Sequence, residues 1–172
     1  MRYLLPPLVA LAAFACGDPE PGKPKRIETV TLALRADGAS LAVFNTTLRA
    51  DEEPNNASNS DSMGFSQIQV LGDGNIEFLL VINNRGVGGV EEVFTRAHIH
   101  KAPAGENGGI HWDLLEAGNP VASISGQPAI LRGEVRPRAG ADLEDLLAHP
   151  ENYYVNVHSN VFPGGSIRGQ LQ

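Results

Sequence analysis

Two of the five histidines, His98 and His100, stand one residue apart in a run of β-type residues, Val93 to His100. In a strand, residues two apart project from the same face, so both imidazoles stand side by side while Ala97 and Ile99 turn the other way. The same test on Tyr153 to His158 sends Tyr153, Val155 and Val157 towards a core and Tyr154, Asn156 and His158 away from it. Paired strands lie about 4.8 Å apart, so if these two runs are neighbours, His98, His100 and His158 converge on one rigid support. Three nitrogen donors with no thiolate nearby are the chemistry of a metal site, with Cu(II) first by affinity order and Zn(II) second. The plainer alternative is three hydrogen-bonded histidines on a sheet surface.

Two further histidines bear on that reading. His111, beside Trp112, is a candidate fourth ligand, although simple alternation makes it a surface strand residue opposite in sense to Ile110 and Trp112. His149 ends the one expected helix, Asp142 to His149, where the helix dipole favours an imidazolium, and its role is structural. In that helix Leu143, Leu146 and Leu147 fall at helical spacing and Pro150 supplies the stop.

The elements that must carry these side chains are short strands. Alternating segments run over Ile27 to Leu34, Leu41 to Leu48, Phe65 to Leu71, Ile76 to Ile82, Val93 to His100, Ile110 to Leu115, Ile130 to Val135, Tyr153 to His158 and Ser166 to Leu171. Asp37-Gly38 and Asp73-Gly74 are turn signals, the second closing a hairpin. In Ile76 to Ile82 the opposite-parity residues Leu79 and Val81 are also apolar, which predicts a strand covered on both sides or central in its sheet. Asp51 to Ser62 is acidic, polar and broken by Pro54; it is expected as a solvated surface loop, with calcium binding the less favoured reading because no EF-hand spacing is present. About eight strands and one short helix give an all-β sandwich or partly closed barrel.

The chain of 172 residues holds one domain of ordinary size, and its 19 glycines and 12 prolines suit a turn-rich fold. Its 13 basic against 20 acidic residues give a net charge of −7, which repels a phosphate backbone, so nucleic acid is excluded as a partner. Residues 1–15 read as an export signal, with Arg2 followed by an apolar stretch too short to span a bilayer. Cys16, the single cysteine, follows Ala13 and Ala15 and resembles the lipid-modified first residue of a bacterial lipoprotein. Residues 16–26 then form an anchor and tether, and 27–172 the β domain. The expectation is an exported, membrane-anchored protein of the cell envelope.

Three stretches carry a family resemblance: Ala97-His98-Ile99-His100-Lys101-Ala102-Pro103-Ala104-Gly105, Tyr154-Val155-Asn156-Val157-His158-Ser159, and Pro163-Gly164-Gly165-Ser166-Ile167-Arg168-Gly169-Gln170-Leu171. With Glu52-Glu53-Pro54 and the later Gly64 upstream, they resemble the chordin-type (CHRD) domain over roughly residues 28–172. Lys101 stands where that family often has a small residue, and His111 where it has an aliphatic one. A fainter likeness links His98, His100, His158 and Arg168 to copper-zinc superoxide dismutase, which implies an immunoglobulin-like or dismutase-like sandwich and copper. The further histidines, the aspartate arrangement and the disulfide of that family are missing. Three functions follow in order: an envelope metal-binding module, an adhesion or scaffold module implied by the CHRD resemblance, and a copper enzyme in which Arg168 attracts an anion. Phosphate-binding loops, a nucleophile elbow and a His-Glu-x-x-His helix are absent from the sequence.

Overall fold

The computed structural model describes residues 39–122 and 127–172. The export signal, Cys16 and its tether, the strand expected over Ile27 to Leu34 and the Asp37-Gly38 turn lie outside the described residues. Among the described residues no helix is long and apolar enough to cross a membrane.

The described chain forms strands β1 (Ser40–Arg49), β2 (Met63–Leu71), β3 (Ile76–Asn83), β4 (Val93–Lys101), β5 (Gly109–Leu115), β6 (Val121–Ala122) and β7 (Ala129–Val135), helix α1 (Leu143–Ala148), then β8 (Tyr153–Ser159) and β9 (Ile167–Gln170). They make one antiparallel sheet in the order β5-β4-β8-β9-β1-β2-β3-β7, with β6 pairing to β4. The two ends of this path approach each other where Trp112 bridges Pro137 and the Arg138 amide donates to the His111 carbonyl. The fold is therefore all-β and nearly closed, the barrel form of the architecture expected from the strand pattern.

Alternation explains the interior. In β3, Ile76, Phe78, Leu80 and Ile82 are buried while Leu79 and Val81 are half-buried, so this strand lies between β2 and β7 with one face in the core and the other partly open. Ala97 and Ile99 of β4, Val155 and Val157 of β8, and Ile167 of β9 join them in one continuous cluster. Each fully buried Val, Leu, Ile or Phe side chain here contributes about 1.5–3 kcal/mol. The expected helix is present: the Asp142 carboxylate caps it by accepting from the Asp145 amide at 3.0 Å, Leu146 is buried, and a 3-10 turn begins at Pro150.

The loop between β1 and β2 is solvated on one side only. Glu53, Ser58, Ser60 and Ser62 are buried. The Ser60 and Ser62 hydroxyls donate to the buried Glu92 carboxylate, whose second oxygen accepts from Ser166 Oγ at 2.6 Å, and the Asn84 side chain bonds both the amide and the carbonyl of Glu92. A carboxylate removed from water is tolerated only when its lone pairs are satisfied. Short polar residues here therefore mark a buried network on one side of the loop, while Asp51, Glu52, Asn55, Asn59 and Asp61 stand in solvent as expected.

The β9–β1 seam is close-packed: a Cβ at Gly169 would meet the Thr47 carbonyl oxygen at 2.3 Å and Thr46 Oγ1 at 2.9 Å. Gly169→Ala is expected to lower unfolding stability by about 1–3 kcal/mol, the usual range for an overpacked site. Urea unfolding measures this; an unchanged midpoint would show that β9 does not sit this close to β1.

Candidate metal centre

Strands β4 and β8 pair so that Arg96 faces His158, His98 faces Asn156 and His100 faces Tyr154. His98, His100 and His158 therefore occupy one face, with Ala97, Ile99, Val155 and Val157 buried on the other. His98 Nδ1 lies 3.1 Å from His158 Nε2, and one ligand atom of each of the three rings lies within 4.8 Å of the others. This face is not open to water as alternation alone implies. His98 and His100 are 5% and 9% exposed, and His158 is half-buried.

Backbone carbonyls settle two of the tautomers, since a carbonyl only accepts. His100 Nδ1–H donates to the Gly108 carbonyl at 2.9 Å, and His158 Nδ1–H donates to the Pro163 carbonyl at 3.0 Å. In the neutral rings both Nε2 atoms are then left with lone pairs. His100 Nε2 is buried and has no hydrogen-bond partner. Such an orphan costs about 1–3 kcal/mol, and a hydrogen-bond donor or a cation would satisfy it. His98 decides the state of the trio. With its proton on Nδ1 it closes the group by bonding to His158; with its proton on Nε2, towards Asp113 Oδ1 at 3.6 Å, three lone pairs converge.

Burial pushes the His98 pKa down to about 3, helped by repulsion from His158, His100, Arg96 and Arg138. Burial also lowers His100, against the Gly108 hydrogen bond and with help from His158 and Arg168. It lowers His158 as well, against the Pro163 hydrogen bond and with help from Arg96. All three rings are therefore neutral at pH 7. Asp113 stands close to His98 without raising it: 3.6 Å is beyond hydrogen-bond reach, and Arg138 Nε at 3.1 Å offsets the carboxylate charge.

The surroundings are ordered. Tyr154 stacks on His100 with ring centroids 4.8 Å apart and planes 4° from parallel, and the Arg168 guanidinium carbon lies 3.3 Å from the Tyr154 ring centroid. Arg168 is buried and donates to the Glu106 carbonyl at 2.7 Å, the Pro103 carbonyl at 3.2 Å and Gln170 Oε1 at 3.2 Å. It is thus held by the loop after β4, and does not stand open to an incoming anion. Beside it the buried Glu53 accepts from Asn156, and burial raises its carboxyl to about 7.

The structure brings His98, His100 and His158 together and leaves the other candidates elsewhere. The β4–β5 register shifts between Ile99↔Trp112 and His100↔Ile110, so His111 is the bulged residue. A bulge re-aims its side chain: the His111 ring faces Tyr153 and Trp112, with centroids 5.8 Å and 6.0 Å away, and it stands outside the cluster of His98, His100 and His158. The alternation that made it a surface residue is broken at that bulge. His149 caps the C-terminus of α1, with Nδ1 3.4 Å from Glu151 Oε1. Cys16 lies outside the described residues. Sequence reasoning missed Asp113, whose approach to His98 follows from a shifted register. It also missed the Gly108 and Pro163 carbonyls, which no side-chain identity reveals.

A family model for the CHRD domain matches residues 44–171, from within β1 to just beyond β9. No curated protein and no solved structure matches the chain.

The lowered imidazole pKa values fix a pH dependence. Below the ordinary value of 6.5 the unfolded chain takes up protons that the folded chain refuses, so the stabilisation is complete above that pH and drains as pH falls towards about 3. Urea unfolding of the metal-free protein between about pH 7 and about pH 4 should show this decline, and His98→Gln should make it shallower. Comparing proteins that differ only at position 98 cancels Glu53, whose raised pKa acts with the opposite sign. Parallel profiles for the two proteins would contradict burial of a neutral His98.

Proposed function

The chain belongs to the CHRD-domain family, and we propose that it uses this fold as a metal-binding module, holding one ion through His98 Nδ1, His100 Nε2 and His158 Nε2. The observation that carries this reading is the buried, unpartnered His100 Nε2 in a cluster where one ligand atom of each of the three rings lies within 4.8 Å of the others. Nitrogen donors place copper first by affinity order, entering as Cu(II), with Zn(II) the alternative. The Gly108 and Pro163 carbonyls would hold two of the rings in the ligating tautomer, as outer hydrogen-bond partners do around metal-bound histidines. The export signal and Cys16 support a place at the cell envelope with a lipid anchor. An open coordination position on copper would supply redox chemistry, but no residue here is assigned a catalytic role.

A second reading is a metal-free adhesion or scaffold module. The 3.1 Å contact between His98 and His158 favours it, since with a proton on His98 Nδ1 that pair is satisfied without an ion.

Calorimetric titration of Cu(II) and Zn(II) into the metal-free protein separates the two. The metal reading predicts one ion per chain and a loss of affinity of at least about a hundredfold in His98→Ala and in His158→Ala, since even outer-shell changes cost about 10–100-fold. Metal at about a hundred times its dissociation constant should also raise folding stability by about 2.7 kcal/mol. Equal affinity in all three proteins would remove the metal reading and leave the scaffold.

A further inference from the structure

The residue that orients the His100 ring is a glycine, and a glycine does not fix its own backbone. A Cβ at Gly108 would overlap the Lys101 carbonyl oxygen, so only glycine lets the chain pass this close to the end of β4. Without a side chain the Gly108 backbone has a wider choice of conformations than any other residue, and the aim of its carbonyl has to be set from outside. Its amide supplies the anchor: Gly108 N–H donates to the Tyr154 hydroxyl at 3.2 Å, while its carbonyl accepts from His100 Nδ1 at 2.9 Å. The same tyrosine thus stacks on the His100 ring and holds the residue that fixes the proton of that ring.

Tyr154 is itself held from β9. Strand β8 lies between β4 and β9, and Tyr154 pairs with His100 on one side and Gln170 on the other. Arg168 places its guanidinium carbon 3.3 Å from the Tyr154 ring centroid, a cation over an aromatic face. Its Nη1 and Nη2 donate to the Glu106 and Pro103 carbonyls, and Gln170 Nε2 donates to the Ala102 carbonyl at 2.8 Å, all in the segment that leads from β4 to Gly108. The planar fork of arginine makes these bonds and the ring contact at once, which the single ammonium of a lysine cannot do. His158 has no part in the arrangement: its Nδ1 donates to the Pro163 carbonyl, in the turn after β8.

We propose that Tyr154 and Arg168 are positioning residues of the metal site: together they fix Gly108, and through it they keep the His100 proton on Nδ1, so that Nε2 stays bare for the ion. Their part in metal binding rests on the reading above. Both act through Gly108 and neither is a ligand. With the Tyr154 hydroxyl removed, Gly108 is free to turn its carbonyl, and the His100 proton is free to move to Nε2, where it blocks ligation. The buried Arg168 is then explained by the loop it clasps, with no anion required.

The test is the tautomer of each ring in the metal-free full chain, read from long-range proton–nitrogen spectra of histidine-labelled protein, beside calorimetric titration of Cu(II) and Zn(II). Tyr154→Phe keeps the ring and its stack and removes only the hydroxyl; Arg168→Lys keeps the charge and removes the fork. Urea unfolding checks that each variant is folded, and because Arg168 is 1% exposed, Tyr154→Phe is the deciding one. In the wild type His100 should carry its proton on Nδ1. Both variants should move His100 towards the Nε2–H form, leave His158 unchanged and weaken metal binding by about 10–100-fold, the usual cost of losing an outer partner of a ligand. Unchanged His100 signals in folded Tyr154→Phe, or equal changes at His100 and His158, overturn the positioning role and leave the metal reading standing. A wild type that binds neither ion, with His100 still moved in Tyr154→Phe, overturns the metal reading and leaves the positioning of the ring.

Discussion

The register between β4 and β8 is the constraint on which the rest of this structure depends. Two apolar pairs set it, Ala97 with Val157 and Ile99 with Val155, and all four residues are fully buried. A slip of one residue would turn these into the polar face and drive histidines into the core, so hydrophobic burial holds the register against alternatives. The imidazoles inherit their position from this packing. Arg96 faces His158 across the same ladder, which leaves His98 and His158 as diagonal neighbours close enough to touch and brings a guanidinium to the edge of the group.

A second layer then closes over what would otherwise be a wet sheet surface. The loop after β1 brings Glu53 to Asn156, the segment after β4 supplies the carbonyls that hold His100 and Arg168, and the turn after β8 supplies the one that holds His158. Burial under these loops keeps the rings neutral, and their carbonyls aim the lone pairs. Among the described residues, His100 Nε2 is one of five buried side-chain polar atoms without a partner, and what distinguishes it is its place beside the ring nitrogens of His98 and His158.

The strands were legible because their alternation is regular: Ile76 to Ile82, Val93 to His100 and Tyr153 to His158 all appear where period-two patterning puts them. The histidine trio was legible for the same reason. What escaped depends on irregular backbone or on groups without sequence identity. The bulge at His111 reverses parity in β5, so it both removes that ring from the trio and leaves Asp113 beside His98. Ser58, Ser60 and Ser62 read as a solvent-facing loop because polarity does not tell a hydrated segment from one that satisfies a buried carboxylate, here Glu92. The carbonyls of Gly108 and Pro163 belong to turns whose presence, but not whose aim, can be read from glycine and proline.

The central claim is that one ring binds through Nδ1 and two through Nε2. Nitrogen-15 NMR of histidine-labelled protein, titrated with the diamagnetic ion Zn(II), observes those atoms directly. The account predicts metal-induced shifts at His98 Nδ1, His100 Nε2 and His158 Nε2, with His111 and His149 unmoved. Shifts at His111 or His149, or none at the three rings, would contradict it.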